Sequence, residues 1–402
     1  MLMILLILAS IGMGVFLHCK YPAWNPKNKD KKQHPKWFYA WIIGVAVLGG
    51  TWAFFLPIAL NSGFSKDDDG AALRQALIYT TGGILGVITL GETHRKNTLE
   101  KDKNDQDHTR QVHAERRSRY TTAIEQLSKG DSATTRLGGV YSLVGLVDEW
   151  LADEKTIRNI KERHKKGQVI INNLCAYIRS PFPLAEQAEQ LDGSYAKDLQ
   201  KDFKGDKEKF DTDKQVFARD KATLEEERQV RESIIKEIRE RLQDFGAPGS
   251  WSGFDYDFSN AHFFYFTDFT RSRFDGSLNF TGATFTQNTD FFGAKFTGYA
   301  DFSGAKFPEA SFFRAKFTRP ADFSGAEFTG ITIFSEATFR SKPIFTLGNK
   351  ARFSHKAKPE DYKFEVSHNS PYKIETEEQE HNGVKFIIPK GTELFDPDDP
   401  SS

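Results

Sequence analysis

Histidine pairs and paired carboxylates are the features of this chain that come nearest to a chemical site. His108 and His113 lie five residues apart among acidic neighbours. Two metal ligands on one helix usually lie four residues apart and need a third ligand, so we interpret these histidines as a solvent-facing pair. Asp255 and Asp257 are spaced like paired carboxylates. We expect both to be solvated, because they fall at surface positions of the repeat described below.

The sequence lacks the motifs of common catalytic and cofactor sites. It contains no GxSxG, no P-loop, no HExxH and no GxGxxG after a strand. Gly138 and Gly139 follow no strand, so we expect them to mark a close contact between helices rather than a phosphate-binding loop. We therefore predict that the protein is not an enzyme and that it binds neither a cofactor nor a metal.

Composition restricts the class of protein and the kind of partner. A chain of 402 residues predicts two or three domains. Its 55 basic and 55 acidic residues leave no net charge, which gives no indication of a nucleic-acid partner. Cys19 and Cys175 are far apart and lie in different kinds of segment. They can form neither a disulfide framework nor a zinc site, so we expect a reducing compartment.

Three apolar segments predict a membrane anchor over residues 1–91, with spans at about 1–18, 37–60 and 72–91. The second span is 24 residues long and carries no charge. At 1.5 Å per residue it exceeds a hydrocarbon core of roughly 30 Å. For the first segment the alternative is a signal peptide, but a basic start and a convincing cleavage site are absent. The third contains several glycines and threonines, and a re-entrant or interfacial helix is its alternative.

The charges of the connecting loops predict the orientation. Six lysines and one aspartate lie between the first two spans, whereas three aspartates and one lysine lie between the second and third. His94, Arg95 and Lys96 follow the third span. Because positively charged loops stay in the cytoplasm, we expect the N-terminus outside and the large C-terminal part inside.

Residues 92–183 are predicted to form a juxtamembrane helix and a small helical domain. The stretch 92–119 is almost entirely polar, which indicates a solvated helix or linker. Apolar residues at helical spacing then predict three helices. The first ends at a break at 129–131, the second reaches Trp150, and Pro181 and Pro183 end the third.

Residues 184–245 are predicted to form a charged linker and an amphipathic helix. Charges of both signs alternate over 192–242, and an apolar stripe appears near the end of that stretch. We expect a mobile segment that leads into a helix at about 224–242. A coiled coil is the alternative, but the apolar positions do not hold a heptad.

From residue 258 the sequence is periodic, and phenylalanine falls at intervals of five and six residues. Two residues before many of these phenylalanines lies an alanine. The candidate core phenylalanines are Phe258, Phe263, Phe269, Phe274, Phe280, Phe285, Phe291, Phe296, Phe302, Phe307, Phe312, Phe317, Phe323, Phe328, Phe334, Phe339 and Phe345. The candidate core alanines are Ala283, Ala294, Ala305, Ala326 and Ala337.

This period fits neither a helix nor a long strand, but it fits a square coil of short β-segments. Each side of the coil supplies one large and one small inward residue. About 22 residues per turn predict that Phe258, Phe280, Phe302, Phe323 and Phe345 stack in one column. Glycine in GAKF-like segments falls near the corners, where a positive φ is useful. Polar residues between the core positions are expected to face solvent.

The segment 251–345, with its FSGAKF-like units, resembles the pentapeptide-repeat family, which implies a right-handed quadrilateral β-helix. The stretches RYTTAIEQLSKGDSATTRLGGVYSLVGLVDEWLADE and NNLCAYIRSPF are similar to the helical region that precedes the repeats in many membrane-anchored bacterial members. Residues 346–402 are interpreted as a C-terminal tail of the kind found in such proteins. The extra residue at alternate sides departs from a plain five-residue period and predicts a less regular square section.

Some members of the family are DNA mimics that bind topoisomerase, and the charge of the repeat disfavours this role. Ten acidic against nine basic residues over 251–345 leave a charge of −1. A duplex mimic needs a strongly acidic surface.

The sequence thus predicts an α plus β-solenoid protein of the bacterial inner membrane. Its expected partners are the lipid bilayer and a protein, with no nucleic acid and no metal. The first hypothesis is a cytoplasmic interaction or scaffold module. The alternative is a membrane sensor in which the spans respond and the β-helix transmits.

Overall fold

The structure is a computed structural model, and it describes residues 2–20, 34–60, 69–129, 132–193 and 206–399. The chain divides into two compact units, Met1–Gln111 and Val112–Ser402. The first unit is helical. The second contains a helical region and a β-solenoid.

The first unit contains helix α1 (Leu2–Lys20), helix α2 (His34–Ala59) and the beginning of helix α3 (Asp69–Lys129). Trp52 Nε1 donates a hydrogen bond to Ser10 Oγ at 2.7 Å and joins α1 to α2. Each of the three helices contains a stretch that is long and apolar enough to cross a membrane. The lysine-rich and aspartate-rich loops of the orientation argument lie outside the described residues, apart from Lys20, Lys36 and Asp69 at their edges.

Helix α3 is 61 residues long and continues without a break through the predicted boundary at residue 91. The third apolar segment and the polar stretch 92–119 are therefore parts of one helix. Lysine, glutamate, glutamine and arginine make up 13 of the 28 residues of that stretch, and these residues have high helix propensity.

In the described part of the second unit, the helical region consists of the end of α3 and four further α-helices. These are α4 (Ala133–Ala152), α5 (Ile160–Arg179), α6 (Ala188–Asp192) and α7 (Lys207–Leu242). A 3-10 helix (Pro183–Gln187) lies between α5 and α6. Gly139 lies at a contact between helices as predicted, since an added Cβ would approach Ala123 O to 2.6 Å. The predicted break at 129–131 lies mostly outside the described residues.

The charged stretch that follows differs from its prediction. Helix α7 begins at Lys207 rather than near residue 224, with Asp206 as N-cap accepting from Lys209 N at 3.1 Å. Ala185, Ala188 and Leu191 are buried, so residues 184–192 belong to the packed helical region and not to a linker. Alternating charges allowed α7 to form a long helix with one apolar stripe, because all of its charges except Glu227 and Arg231 lie outside the buried side.

The solenoid is built from sixteen two-residue strands that form four parallel sheets. We name these sheets face 1 to face 4 in the order in which the chain visits them. The strands of the regular coils are β1 (Tyr256–Asp257), β2 (His262–Phe263), β3 (Thr267–Asp268), β4 (Arg273–Phe274), β5 (Leu278–Asn279), β6 (Thr284–Phe285), β7 (Thr289–Asp290), β8 (Lys295–Phe296), β9 (Ala300–Asp301), β10 (Lys306–Phe307), β11 (Ala310–Ser311), β12 (Lys316–Phe317), β13 (Ala321–Asp322), β14 (Glu327–Phe328), β15 (Thr332–Ile333) and β16 (Thr338–Phe339). Every fourth strand pairs, so β1, β5, β9 and β13 form face 1, and the other faces follow in the same way.

The interior of the coils is a stack of phenylalanine rings. All seventeen phenylalanines in the register are buried, as are Ala283, Ala294, Ala305, Ala326 and Ala337. The rings of Phe258, Phe280, Phe302, Phe323 and Phe345 follow one another in a single column at centroid distances of 5.0–5.6 Å. The β-solenoid that the spacing predicted is therefore present, and it has about four turns.

The corners of the coil, where the chain turns from one face to the next, explain both the recurring glycines and the sixth residue of the longer intervals between phenylalanines. Gly282, Gly293, Gly304 and Gly325 have φ between 63° and 67°, a left-handed conformation that glycine adopts without strain. The sixth residue of the longer intervals falls at the other two corners. There Gly298 lies so close to the preceding coil that an added Cβ would be 1.9 Å from Gly276 O. The extra residues leave the strand register of successive coils intact.

The chain beyond Phe345 extends the solenoid and is not the separate tail that we expected. Strands β17 (Arg352–Ser354) and β21 (Glu393–Phe395) join face 2, and β18 (Tyr362–Lys363) joins face 3. Phe353 stacks on Phe328 at 5.0 Å, and Phe364 stacks on Phe334 at 5.8 Å. A hairpin of β19 (Thr376–His381) and β20 (Val384–Pro389) buries Phe386 and Ile388.

The helical region covers the opposite end of the solenoid. Helices α5 and α7 contact strands β1, β2 and β3 of the first coil. Trp251 Nε1 donates to Asp148 Oδ1 at 2.7 Å, and the rings of His164 and Phe254 stack at 4.2 Å. Helices and coils thus share one hydrophobic core. Both ends of the stack are covered, as solubility of a repeat protein requires.

Candidate interaction surface

Among the described residues, no group of three or more histidine, cysteine or acidic side chains is placed to hold a metal. His108 is exposed as predicted, but His113 is not a solvent-facing residue. Its Nε2 lies 3.1 Å from Thr156 Oγ1, and its ring packs against Trp150 at 5.3 Å. His113 therefore has a structural role, packing against Trp150 at the end of α4. The spacing of the two histidines could not indicate this contact.

The paired carboxylates Asp255 and Asp257 hold structural contacts. Asp255 Oδ1 accepts a hydrogen bond from Ser277 N at 2.7 Å, between successive coils. Asp257 forms an ion pair with Arg179 of α5 at 2.8 Å. The two side chains therefore fix the first coil to its neighbours.

Polar side chains on face 1 form hydrogen bonds with the backbone of their own coil. Each accepts a hydrogen bond from the backbone N–H two residues later, at 2.9–3.1 Å. The residues are Asp257, Asn279, Asp301 and Asp322. Asp268 and Asp290 on face 3 do the same at 2.8 Å. These short polar side chains stabilise the bend that follows each strand.

Charged residues on face 2 form ion pairs with one another. Lys306 Nζ lies 3.3 Å from Glu327 Oε2, and Glu327 also binds Arg352 of the following coil. Register places Lys306 opposite Glu327 and Glu327 opposite Arg352. Face 2 therefore presents a ladder of alternating and paired charges.

Face 4, on the opposite side of the coil, presents a basic row. Arg273, Lys295 and Lys316 are adjacent in register. The sequence-based prediction that Lys295 and Lys316 share one face, opposite Lys306 and Glu327, is confirmed. Asp244, from the segment after α7, contacts Lys295 at 2.9 Å and Arg273 at 3.5 Å. The hydrogen bond from Lys295 lowers the pKa of Asp244, so this carboxylate is charged at neutral pH.

Asp244 shows what the sequence missed. It follows the amphipathic helix and belongs to no repeat, so nothing in its surroundings indicated a contact with residues 295 and 273. Arg273 also pairs with Asp275 at 2.7 Å, so the two carboxylates together neutralise Arg273 and Lys295. Lys295 is therefore not a freely solvated side chain.

Two family models, described as pentapeptide repeats of 9 and 8 copies, match residues 269–316 and 299–340. This part of the chain is a pentapeptide-repeat domain. The matched residues lie within the coils in which the Phe column and the four faces are regular. Comparison with curated proteins and with solved structures gave no match. The pentapeptide-repeat assignment therefore rests on the repeat itself.

Proposed function

We propose that the chain is a membrane-tethered, non-catalytic pentapeptide-repeat protein whose solenoid is a cytoplasmic interaction module at the bacterial inner membrane. The observation that carries this proposal is the solenoid with both ends covered and its faces left exposed. A core of stacked rings makes such a body rigid, and rigid surfaces bind partners at low entropic cost.

Tethering is supported by the three helices that are long and apolar enough to span a bilayer. Their order and the loop charges favour an N-terminus outside and a C-terminus inside. Impermeant thiol labelling of Cys175 cannot test this orientation. The side chain is buried, and burial raises the pKa of its thiol to about 12.

The test of orientation therefore uses introduced cysteines in a chain with Cys19 replaced by serine. Lys32→Cys, in the loop between the first spans, and Lys363→Cys, at an exposed position of β18, are labelled in intact cells and after lysis. We expect both to react only after lysis. Labelling of either in intact cells contradicts the proposed topology.

The test of the interaction module compares proteins that co-purify with the full chain and with a chain that ends after Leu242. We expect crosslinked membranes to yield proteins that depend on the solenoid. The same set of proteins from both chains would contradict the proposal.

A membrane sensor is the second candidate, and the continuity of α3 favours it. One helix connects the third apolar segment to the packed helical region at residues 112–129. Inserting two residues near residue 100 rotates one half of such a helix against the other by about 200°. A sensor should change its partners on this insertion, whereas a passive tether should not.

A further inference from the structure

Beyond Lys295, face 4 carries a group of basic side chains that the chain does not neutralise. We name it the basic patch, and it consists of Arg314, Lys316, Arg319, Arg340 and Lys342. All five are exposed. Within the described part of the chain, no carboxylate lies within 4.0 Å of any of them, in contrast to Arg273 and Lys295.

The members of the basic patch lie on two neighbouring coils. Lys316 is opposite Thr338 in register, and Arg340 N donates to Phe317 O at 2.8 Å. Neighbouring strands are about 4.8 Å apart, so the charges of the two coils reinforce one another. Glu336, at the corner of the second coil, is an acidic residue bordering the patch.

The chain itself shows which group fits this row. Asp244 bridges two successive rungs, Arg273 and Lys295, with one carboxylate. Lys316 is the next rung of the same row. We propose that the basic patch binds an acidic segment of a partner protein, whose carboxylates continue the contacts that Asp244 begins. This proposal rests on the proposed function and names the chemistry of its partner.

Aromatic rings beside the patch favour a protein over single-stranded nucleic acid. Phe292 and Phe313 face outward at the corner before face 4, with centroids 5.7 Å apart. Nucleic-acid binding would require an open ring face for base stacking. The Arg314 guanidinium lies 5.1 Å from the Phe313 ring and covers it. The patch can therefore bind a ligand through its positive charges, and carboxylates carry the complementary charge.

The experiment measures binding of a fluorescent oligoglutamate peptide to the full-length chain in a zwitterionic detergent, by anisotropy. The test variant is Lys316→Glu with Arg340→Glu. The matched control is Lys214→Glu with Lys363→Glu, two exposed lysines outside the patch. Both variants change the net charge equally, so a difference between them reports position rather than total charge.

We expect oligoglutamate to bind the wild type at ~0.01 M salt and to dissociate as the salt approaches ~0.15 M, where the Debye length shortens to about 8 Å. The test variant should bind at least about tenfold more weakly, since two charge contacts become repulsive. The control variant should bind within about twofold of the wild type, because Lys214 and Lys363 lie outside the patch and its charge contacts are left unchanged.

Equal binding by the two variants, or no binding by the wild type, would overturn the proposal. Tighter binding of an oligothymidine strand than of oligoglutamate would also overturn it, since the ligand would then be nucleic acid. These outcomes leave the proposed function standing if the co-purifying proteins still depend on the solenoid. Loss of that dependence would instead contradict the proposed function.

Discussion

Phe302 in the solenoid and Arg231 in the helical region are both almost fully buried, at 0% and 1% exposure, but their surroundings are opposite in kind. Phe302 lies between the rings of Phe280 and Phe323, at 5.6 and 5.0 Å. Arg231 lies among oxygen atoms. It donates to Glu227 at 2.7 Å, to Ile178 O at 2.7 Å and to Ser180 O at 2.8 Å.

The difference shows two ways in which a buried interior is stabilised, by stacked aromatic rings and by a hydrogen-bonded network around a buried charge. Stacked rings gain stability from burial and contact, and each coil repeats the same solution. The arginine can be buried only because specific acceptors surround it, since an unpaired charge there would cost several kcal/mol. Glu227 also accepts hydrogen bonds from Arg136 and Tyr177, so one carboxylate joins α4, α5 and α7.

The largest effect is expected for Phe302→Ala, which should lower the free energy of unfolding by roughly 3–5 kcal/mol. The six rings around Phe302 belong to three successive coils, so they cannot collapse into the cavity without breaking register. Pulse proteolysis of the full-length chain in urea measures the loss. A loss below about 1 kcal/mol would mean that residue 302 is not a core position.

Glu227→Ala should cost about 3 kcal/mol, because it leaves Arg231 buried without its carboxylate. Arg136 is partly exposed and can regain water, which keeps the loss below that of Phe302→Ala. The same assay applies. In the double variant with Arg231→Met the loss should shrink, since an apolar side chain needs no acceptor, and additive losses would show that the two side chains are not coupled.

Ala305→Leu tests the small inward position and should cost about 1–3 kcal/mol by overpacking. Ala305 is completely buried two residues before Phe307. Thermal unfolding of the full-length chain measures the change. The matched control is Ala152→Leu at the exposed last residue of α4, where added volume should be tolerated.

The sequence predicted that Phe302 is buried but did not predict the burial of Glu227, and the reason is physical. A periodic core repeats its signal in every coil, and the interval between phenylalanines alone determines column and face. Glu227 lies in a stretch dense with charges, where the one carboxylate that is buried has the same type as those that are solvated. Only the packing of α7 on α4, with the hydrogen bonds that Arg136 and Tyr177 donate to Glu227, distinguishes it.

The end of the solenoid illustrates the same limit. Phe345, Phe353 and Phe364 are separated by eight and eleven residues, so the period that identified the coils is lost. The structure shows that Phe353 and Phe364 nevertheless stack on earlier rings, because the longer loops between them lie outside the coil. Asp244 was missed likewise, since its contacts with face 4 depend on where α7 ends.

A substitution at a corner of the coil should change the free energy of unfolding by a smaller amount and should increase it. Glu336 has a φ of 58° at the corner before face 4, where Gly293 of an earlier coil has a φ of 63°. Glu336→Gly should raise the free energy of unfolding by about 0.5–1 kcal/mol, because the left-handed conformation strains a residue with a Cβ. Gly304→Ala should lower it by a similar amount. Urea unfolding of both variants checks the prediction, and equal signs would contradict it.

The smallest effect is expected for Lys306→Ala, which should change stability by no more than about 0.5 kcal/mol. The side chain is 57% exposed, and its contact with Glu327 at 3.3 Å is a surface ion pair in water. Glu327 keeps Arg352 as a partner, so no charge is left unpaired. Lys306 and Phe307 are neighbours in one strand, one outward and one inward, which makes the comparison with a core phenylalanine direct. Thermal unfolding of Lys306→Ala and Phe307→Ala in parallel measures both positions of the strand. Similar losses of melting temperature would show that outward and inward positions are not distinct, and the register of the solenoid would have to be abandoned.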